Sequence, residues 1–238
     1  MMQALLMRSL PLLLLSSSLQ VATSTAQWDA RRFAQTTLFF NGPQDVLKRL
    51  VPPPLRGSAP VLTNDAVMWS ADKQNLLEWG PLDDVVMGGV SESEFTVADG
   101  VGKFAGIIRT ENNGGFAGCR SKTLSPPLSL TAYRGIRMKV RGDGQRYKAI
   151  IRDSPAWNGI AWAQSFDTNA GELQEVELLW ADFVPTLFAK RVPGATLKKD
   201  EISTVQLTLS KFEYDGGLNP SFSAGPFCLE VAEIAALV

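Results

Sequence analysis

The sequence predicts an all-β protein folded as a β-sandwich, and three observations support this fold class. From about Val61 onward, several short runs alternate apolar and polar residues with the period of two that half-buried strands show. Turn sequences rich in glycine, aspartate and asparagine separate these runs. No long run with the 3.6-residue period of a helix occurs in this part of the chain. Many short strands separated by turns are typical of two packed sheets.

The composition excludes several common classes of enzyme and of binding protein. The chain has 238 residues, enough for one substantial domain, and its 23 Lys and Arg residues balance 24 Asp and Glu residues. This near-neutral charge does not favour nucleic-acid binding. The absence of histidine rules out histidine triads and histidine-containing zinc sites, and two cysteines are too few for a four-cysteine metal site. With no dinucleotide-binding glycine motif and no P-loop, we expect a non-enzymatic protein that binds no nucleotide or cofactor.

Residues 1–27 are predicted to be a targeting segment. Arg8 is the only charged residue before Asp29, and the apolar run Leu10–Leu15 is far shorter than the ~20 residues that span a bilayer. Two interpretations remain open, a secretory or bipartite plastid signal and an organellar transit peptide. The many serines and threonines and the lack of acidic residues favour the transit peptide.

Residues 28–60 are predicted to be an N-terminal extension followed by a proline-rich linker. Phe33, Phe39 and Phe40 supply apolar surface without a clean period, and Pro52–Pro54 mark the linker. The extension is either an amphipathic segment for a partner or a membrane surface, or a strap packed on the domain. Residues 61–238 then form the sandwich domain, which we expect to fold independently of residues 1–50.

Six runs of the domain are predicted as strands. They are Phe104–Arg109, Ile136–Arg141, Tyr147–Arg152, Val176–Trp180, Val205–Ser210 and Phe227–Val231. In the fifth run the apolar Leu207 lies between Gln206 and Thr208, so a half-buried strand is expected there.

Three glycine-rich segments supply most of the candidate residues for partner binding or for the fold. The first runs from Asp83 to Ser91, the second from Arg109 to Arg120, and the third from Val140 to Tyr147. Together with two arginines of a predicted strand, the candidates are Asp84, Met87, Gly88, Gly89, Ser91, Asn112, Asn113, Gly114, Gly115, Phe116, Arg120, Arg137, Arg141, Gly142, Asp143, Gly144 and Tyr147.

In this order and spacing, the three segments resemble the complex I intermediate-associated protein 30 family. The family's signatures run approximately D-x-V-M-G-G-S, N-N-G-G-F and G-D-G-x-x-Y, and the likeness extends from about Asn75 to Ala236. The resemblance implies a galactose-binding-like jelly-roll sandwich, similar to a carbohydrate-binding module. It also implies an assembly factor, best known for mitochondrial complex I, with relatives that look like photosystem assembly or translation factors. The chain departs from the family at Leu178–Phe183, where an aromatic-rich P-F-x-x-F run is usual.

Each motif has a structural interpretation beside the functional one. The segment around Met87 is either a recognition loop for a client protein or a tight corner, in which Asp84 accepts backbone N–H groups and Met87 fills a core gap. The same two interpretations, a recognition loop and a tight corner, apply to Asn112–Gly115. Phe116 is expected to anchor the following strand in the core. Gly142–Gly144 is predicted to be a hairpin turn.

Other side chains suggest ligands, each with a simpler alternative. The carboxylates of Asp83, Asp84, Asp99 and Asp143 are oxygen ligands of the kind that Ca²⁺ prefers, although no calcium loop is present and the same residues cap turns. Tryptophans in sandwich modules stack on sugar rings or are buried. The candidates of this kind are Trp157, Trp162 and Trp180.

A basic strand and two cysteines complete the set. Arg137, Lys139 and Arg141 would share one exposed face, which either binds RNA or an acidic client or is an ordinary solvated sheet surface. Cys119 and Cys228 either form a disulfide in an oxidising compartment or remain free thiols.

The sequence therefore predicts a protein that binds subunits or assembly intermediates of a membrane-bound electron-transfer complex, most in line with mitochondrial complex I. A plastid photosystem assembly factor and a carbohydrate-binding module of a secreted protein are the alternatives. We expect an organellar location, the mitochondrion before the plastid, with no transmembrane helix and with peripheral membrane association left open.

Overall fold

The computed structural model of the protein describes residues 29–41, 62, 66–72 and 76–238. The predicted targeting segment and most of the predicted linker lie outside these residues. Within the described part of the chain, no helix is long and apolar enough to cross a membrane.

The described residues form one α-helix and thirteen strands. The helix is α1 (Ala30–Asn41). The strands are β1 (Val67–Ser70), β2 (Trp79–Pro81), β3 (Glu92–Ala98), β4 (Val101–Ile108), β5 (Phe116–Ser121), β6 (Gly135–Arg141), β7 (Arg146–Arg152), β8 (Ala161–Asp167), β9 (Leu173–Leu179), β10 (Val184–Leu187), β11 (Lys190–Arg191), β12 (Thr204–Ser210) and β13 (Gly225–Leu237). All six runs predicted as strands overlap strands of the structure.

The strands form two antiparallel sheets that enclose the core. The six-stranded sheet has the order β3-β4-β13-β6-β9, and β1 also pairs with β13. The seven-stranded sheet has the order β11-β10-β8-β7-β12-β5-β2. Phe104 and Phe227 of the first sheet pack edge-to-face with ring centroids 5.0 Å apart, and Phe104 also meets Tyr147 of the second. The prediction of an all-β jelly-roll sandwich is confirmed.

Helix α1 packs on the sandwich, which supports the strap interpretation of the N-terminal extension. Asp29 caps its first turn by accepting hydrogen bonds from the backbone N–H groups of Arg31 and Arg32, at 2.8 and 3.2 Å. Thr36 and Phe40 are buried, and Arg32 stands one turn before Thr36 on the same face. The ring of Phe39 also lies against Gly80 of β2 and Lys122, so the face that docks combines an arginine, a threonine and two phenylalanines.

Two local expectations are corrected. Gly142–Gly144 is not a hairpin turn, because β6 and β7 belong to different sheets and this segment crosses from one sheet to the other. Strand β12 is buried on both faces rather than half-buried, and its polar residues Gln206 and Thr208 are 3% and 1% exposed. The outer face of the seven-stranded sheet is therefore covered by other parts of the protein.

Candidate functional site

A groove of about 240 Å³ crosses the outer face of the seven-stranded sheet. Lys148, Ile150 and Arg152 of β7 line it, whereas the residues between them belong to the hydrophobic core. Gln206 and Thr208 of β12 lie beside them in register, so neighbouring strands supply a floor that combines cationic and amide groups. Alternation along each strand thus separates the core from the groove.

Apolar side chains on loops form the rim of the groove. Met87 and Phe188 are 71% and 78% exposed, and Phe212 is also exposed. Trp157 contributes a half-buried indole ring from the connection between β7 and β8. Exposed large apolar side chains gathered around a concave site are a usual mark of partner binding.

The rim residue Phe188 sits at a hairpin turn with an unusual backbone. Phe188 and Ala189, between β10 and β11, have φ angles of 49° and 60°, a region that a bulky side chain rarely adopts. The neighbouring Asp215 stabilises this turn: its N–H donates to the carbonyl of Ala189 at 2.9 Å, and its carboxylate pairs with Arg191 at 2.9 Å. The protein thus fixes the backbone from which an exposed aromatic ring projects.

Of the three cations in the groove, Lys148 has a carboxylate partner and Arg152, within the described part of the chain, has only a carbonyl partner. The ammonium group of Lys148 donates to the carbonyl of Phe212 and lies 3.7 Å from the carboxylate of Glu213. Arg152 donates to the carbonyl of Gly159 at 2.7 Å and, among the described residues, has no carboxylate within ion-pair distance. Burial lowers the pKa of both side chains, and for Lys148 the nearby Glu213 opposes this effect.

The third cation, Arg120, lies between two aromatic rings. Its guanidinium carbon is 4.0 Å from the ring centroid of Trp157 and 4.5 Å from that of Phe40 in α1. The rings of Phe40 and Trp157 also touch, with centroids 5.5 Å apart. The helix therefore meets the groove where Arg120 and Trp157 stand.

Asp84 joins the first two glycine-rich motifs. Its buried carboxylate accepts hydrogen bonds from the N–H and hydroxyl of Ser91, at 2.9 and 2.7 Å, and from the N–H groups of Gly115 and Phe116, at 2.9 and 3.3 Å. The side chain of Asn112 reaches the carbonyl of Gly88 at 3.3 Å. The two motifs thus form one structural corner, as the interpretation of Asp84 as an acceptor predicted.

Two residues of these motifs face the groove instead of the core. The expectation that Met87 fills a core gap is wrong, because its side chain is largely exposed at the rim. The expectation that Phe116 anchors its strand in the core is also wrong, because it points to the outer face and lines the groove half-buried. In both cases an apolar side chain is used at the site rather than in the interior.

The third motif holds the connection between the sheets. Asp143 accepts a hydrogen bond from the hydroxyl of Tyr147 at 2.9 Å and from the N–H of Cys228 at 3.0 Å. Burial raises the pKa of the Tyr147 phenol well above its usual value. A Cβ on Gly142 would lie 2.3 Å from the side chain of Thr168, so glycine is required by close approach. This motif lies away from the groove.

The strand predicted as basic is neutralised by acidic neighbours. Arg137 lies 3.4 Å from Glu233 and 3.9 Å from Glu175, and Arg141 lies 3.0 Å from Glu230. Lys139 also pairs with Glu233. The surface is therefore a network of ion pairs on the six-stranded sheet, and not a basic patch.

Asp83, another candidate ligand of a metal ion, has partners within the chain. Asp83 accepts hydrogen bonds from Ser93 and Gly118 and pairs with Arg32 of α1 at 2.6 Å. Among the described residues, no group of three or more cysteine or acidic side chains is placed to hold a metal. Cys119 is buried and Cys228 half-buried, and both are free.

The structure therefore brings Met87, Phe116, Arg120 and Trp157 to one site and leaves the other motif residues in structural roles. Sequence analysis missed most of the groove, because its residues lie on β7, β8, β10 and β12 without a shared motif. One signal was available: polar residues such as Gln206 alternate with apolar ones on a strand that proves to be central in its sheet.

Comparison with known proteins supports the fold and a family. The family model described as Complex I intermediate-associated protein 30 matches residues 69–231. No curated protein matches the chain in sequence.

The solved structures that resemble the chain include carbohydrate-binding modules. One is the family 11 carbohydrate-binding module of a cellulosomal cellulase of Clostridium thermocellum, with a TM-score of 0.51 and 15% identity over 72% of this chain and 94% of that chain. Another is the family 11 module of the same organism in complex with a β-1,3-1,4-mixed-linked tetrasaccharide, with a TM-score of 0.50 and 15% identity over 72% of this chain and 96% of that chain. At this identity the likeness shows a shared sandwich fold.

Proposed function

Because the chain belongs to the complex I intermediate-associated protein 30 family, we propose that it is a non-enzymatic assembly factor that binds an incompletely built membrane-bound electron-transfer complex. The family match over residues 69–231 is the observation that carries the proposal. The family and the carbohydrate-binding-module-like fold are both non-catalytic kinds of domain. The client is an assembly intermediate of NADH:ubiquinone oxidoreductase, and the alternative client is a plastid photosystem.

The groove is the client-binding site in this proposal. It combines exposed apolar side chains at the rim with buried cations on the floor, and the rim residues Met87 and Phe188 have no role in the core. An apolar patch of this kind on a folded domain is available for a partner. In this proposal the protein works in an organelle, the mitochondrion before the plastid.

Expression of the full chain with a C-terminal tag tests this function. We expect the tagged protein to localise to mitochondria and to co-migrate on native gels with a subcomplex of NADH:ubiquinone oxidoreductase. Loss of the protein should make that subcomplex accumulate. A tagged protein that migrates only as a free monomer, or that is secreted, would contradict the proposal.

The absence of catalysis and of nucleotide binding is tested separately. We expect calorimetric titration with ATP and with NAD to give no binding, since no glycine-rich phosphate loop is present in the sequence. Micromolar affinity for either nucleotide would contradict this expectation.

Carbohydrate binding is the second candidate function, and Trp157 is the observation that favours it. Its ring lines the groove beside Asn158 and Tyr214, an arrangement that offers stacking and hydrogen bonding to a sugar. Titration with a β-1,3-1,4-mixed-linked tetrasaccharide tests this candidate. Saturable binding that Trp157→Ala abolishes would favour it over the assembly function.

A further inference from the structure

We infer that the groove binds a segment of the client protein that contains an acidic residue. In this segment, an apolar residue lies close to the acidic residue along the chain, on either side of it. The inference rests on the proposed function and specifies the chemistry of the segment that is bound. Three features of the groove carry it: its charge, its buried polar atoms without partners, and the position of its apolar rim.

Among the described residues, the lining of the groove has more cations than acids. It contains three cations, Arg120, Lys148 and Arg152, and one acid, Glu213. Glu213 lies within ion-pair distance of Lys148 and forms no ion pair with Arg152. The guanidinium of Arg152 is half-buried and has no carboxylate partner in the part of the chain that the structure describes, so a carboxylate from a ligand would form a charge-assisted hydrogen bond with it.

Two buried polar atoms of the groove also lack partners among the described residues. The Nε of Arg152 is a buried donor without an acceptor, and the Oε1 of Gln206 is a buried acceptor without a donor. Gln206 is 3% exposed and its amide nitrogen donates to Thr208 at 2.9 Å, which fixes the orientation of the side chain. Buried polar atoms are normally satisfied, so these two groups point to a ligand that offers both a carboxylate and an N–H group.

A peptide segment has both groups, because each residue supplies a backbone N–H and an acidic side chain supplies the carboxylate. A neutral glucan would satisfy Gln206 with a hydroxyl group but would leave the charge of Arg152 uncompensated. The charge of the groove therefore favours the acidic peptide over the neutral sugar.

The rim sets the position of the apolar side chain. Phe188 is the most exposed of the large apolar residues around the groove, and its turn is held by Asp215 in a backbone conformation that is rare for phenylalanine. Because the backbone of this turn is already held, a ligand that packs on Phe188 does not have to order the turn. Phe188 and Met87 would then contact an apolar side chain beside the carboxylate that reaches Arg152.

Selection from a random peptide library tests the inference. The full-length protein is immobilised through its C-terminal tag, and peptides are selected on the wild type and on the variants Arg152→Gln, Phe188→Ala and Arg141→Gln. Arg141 is the matched control, since it is an exposed, ion-paired arginine on the other sheet. The best peptide and its counterpart with amides in place of carboxylates are then titrated by calorimetry.

We expect an acidic residue to be enriched at one position with an apolar residue close to it. The affinity of that peptide should fall at least about tenfold on Arg152→Gln and on replacement of its carboxylate by an amide, because a buried charge pair is broken in each case. Phe188→Ala should weaken binding about fivefold or more. Arg141→Gln should leave the affinity unchanged.

The variant Arg152→Lys keeps the inference testable if Arg152→Gln unfolds, because it retains the charge and should retain most of the affinity. The inference is overturned if no peptide is selected, if the selected peptides lack acidic residues, if the amide peptide binds equally well, or if only the tetrasaccharide binds. Peptide binding without co-migration on native gels would contradict the proposed function alone. Co-migration that survives both Arg152→Gln and Phe188→Ala would contradict the inference alone.

Discussion

Gly88 and Gly89 are adjacent, but the structure requires glycine at the two positions for different reasons. Gly88 has a φ of 91° and open space around its Cα, so a side chain there strains only the backbone. A Cβ on Gly89 would lie 2.2 Å from the Cγ of the buried Asp84. We expect Gly88→Val to lower the free energy of unfolding by about 1–3 kcal/mol.

Urea denaturation of matched variants separates these two causes. Gly88→Asn should recover most of the stability, because asparagine tolerates positive φ. Gly89→Ala should destabilise the protein more than Gly88→Asn does, since the Asp84 carboxylate must move from its four donors. Equal losses for Gly88→Asn and Gly89→Ala would contradict this account.

Asp83 makes the stability of the protein depend on pH. Burial raises the pKa of its carboxyl to about 6, from 3.8, although hydrogen bonds from Ser93 and the charge of Arg32 act in the opposite direction. The folded protein therefore holds this proton more tightly than the unfolded chain does. The contribution of Asp83 to the free energy of unfolding is largest at low pH and falls as the pH rises from about 4 to about 6.

The variant Asp83→Asn removes this titration. Relative to the wild type, we expect the variant to be less stable near pH 4.5 than near pH 7, with a difference between the two conditions of up to about 3 kcal/mol. Urea denaturation at the two pH values measures it. Asp167→Asn is the control: Arg146 lowers the pKa of this exposed carboxyl, so the small effect there has the opposite sign. A pH-independent difference for Asp83→Asn would contradict the prediction.

At the residue scale, the hydrogen bonds of a motif could be predicted from the sequence better than the burial of its side chains. Asp84 could be identified as a turn acceptor because aspartate beside glycines commonly bonds to nearby N–H groups. Met87 and Phe116 were placed in the core because both are apolar. The direction in which a residue points depends on strand pairing, and a single motif contains no information about that pairing.

Among the elements, α1 is joined to the sandwich by a buried ion pair, between Arg32 and Asp83, and by the contacts of the Phe39 and Phe40 rings. A helix of this length is marginal in water by itself, so these contacts should hold it in place. The proline-rich sequence predicts proteolytic cleavage near residues 52–62. We expect the cleaved helix to remain bound to the domain.

Size-exclusion chromatography of the cleaved protein, followed by mass spectrometry, checks this expectation. Arg32→Gln should release the helical fragment, because Asp83 then loses its counter-charge. Arg31→Gln is the matched control, since Arg31 is exposed on the same helix. Release of the fragment from the cleaved wild-type protein would show that the ion pair and the two phenylalanine rings do not suffice.

The strands could be predicted from the sequence, while their pairing and the helix could not. The alternation of apolar and polar residues with a period of two predicts β6, β12 and β13 as strands and not as helices. Helix α1 was missed because its docking face carries Arg32 and Thr36, which do not form an apolar stripe. The crossing at Gly142–Gly144 was taken for a hairpin because a short glycine turn between two strands does not show whether they share a sheet.

At the scale of the whole molecule, the two outer faces of the sandwich differ in the balance of their charges. Cations of the six-stranded sheet pair with Glu175, Glu230 and Glu233, whereas the groove of the other sheet retains a net positive charge. Reversal of charge at Arg137 and Arg141 should therefore place like charges opposite each other. We expect a loss of about 1–2 kcal/mol in the free energy of unfolding.

Compensating changes test this interpretation of the paired face. Glu230→Lys and Glu233→Lys together should restore stability in the double variant, as measured by urea denaturation. Co-migration with the assembly intermediate should be unaffected in both proteins, since the groove lies on the other sheet. If the variant with both arginines reversed is folded but no longer co-migrates, the client binds the ion-paired face of the six-stranded sheet, and this interpretation is contradicted.

The global fold could be predicted largely because the resemblance covers most of the chain. Composition and alternation alone give a sandwich, and the resemblance adds the jelly-roll architecture. The groove could not be predicted in the same way, because it arises where five strands and their loops meet. Only the arrangement of β5, β7, β8 and β12 places Arg120, Arg152 and Gln206 in one cavity.

The central position of β13 has a consequence for the folding of the newly synthesised chain. This strand follows all others along the chain, yet it lies between β4 and β6 and also pairs with β1. A nascent chain that has emerged only as far as residue 224 therefore presents unpaired strand edges, which are prone to associate with other chains. The six-stranded sheet can close only when residues 225–237 have left the ribosome. Until then these edges are open to association, and we expect a premature stop codon upstream of Gly225 to yield an aggregating product instead of a shortened but working one.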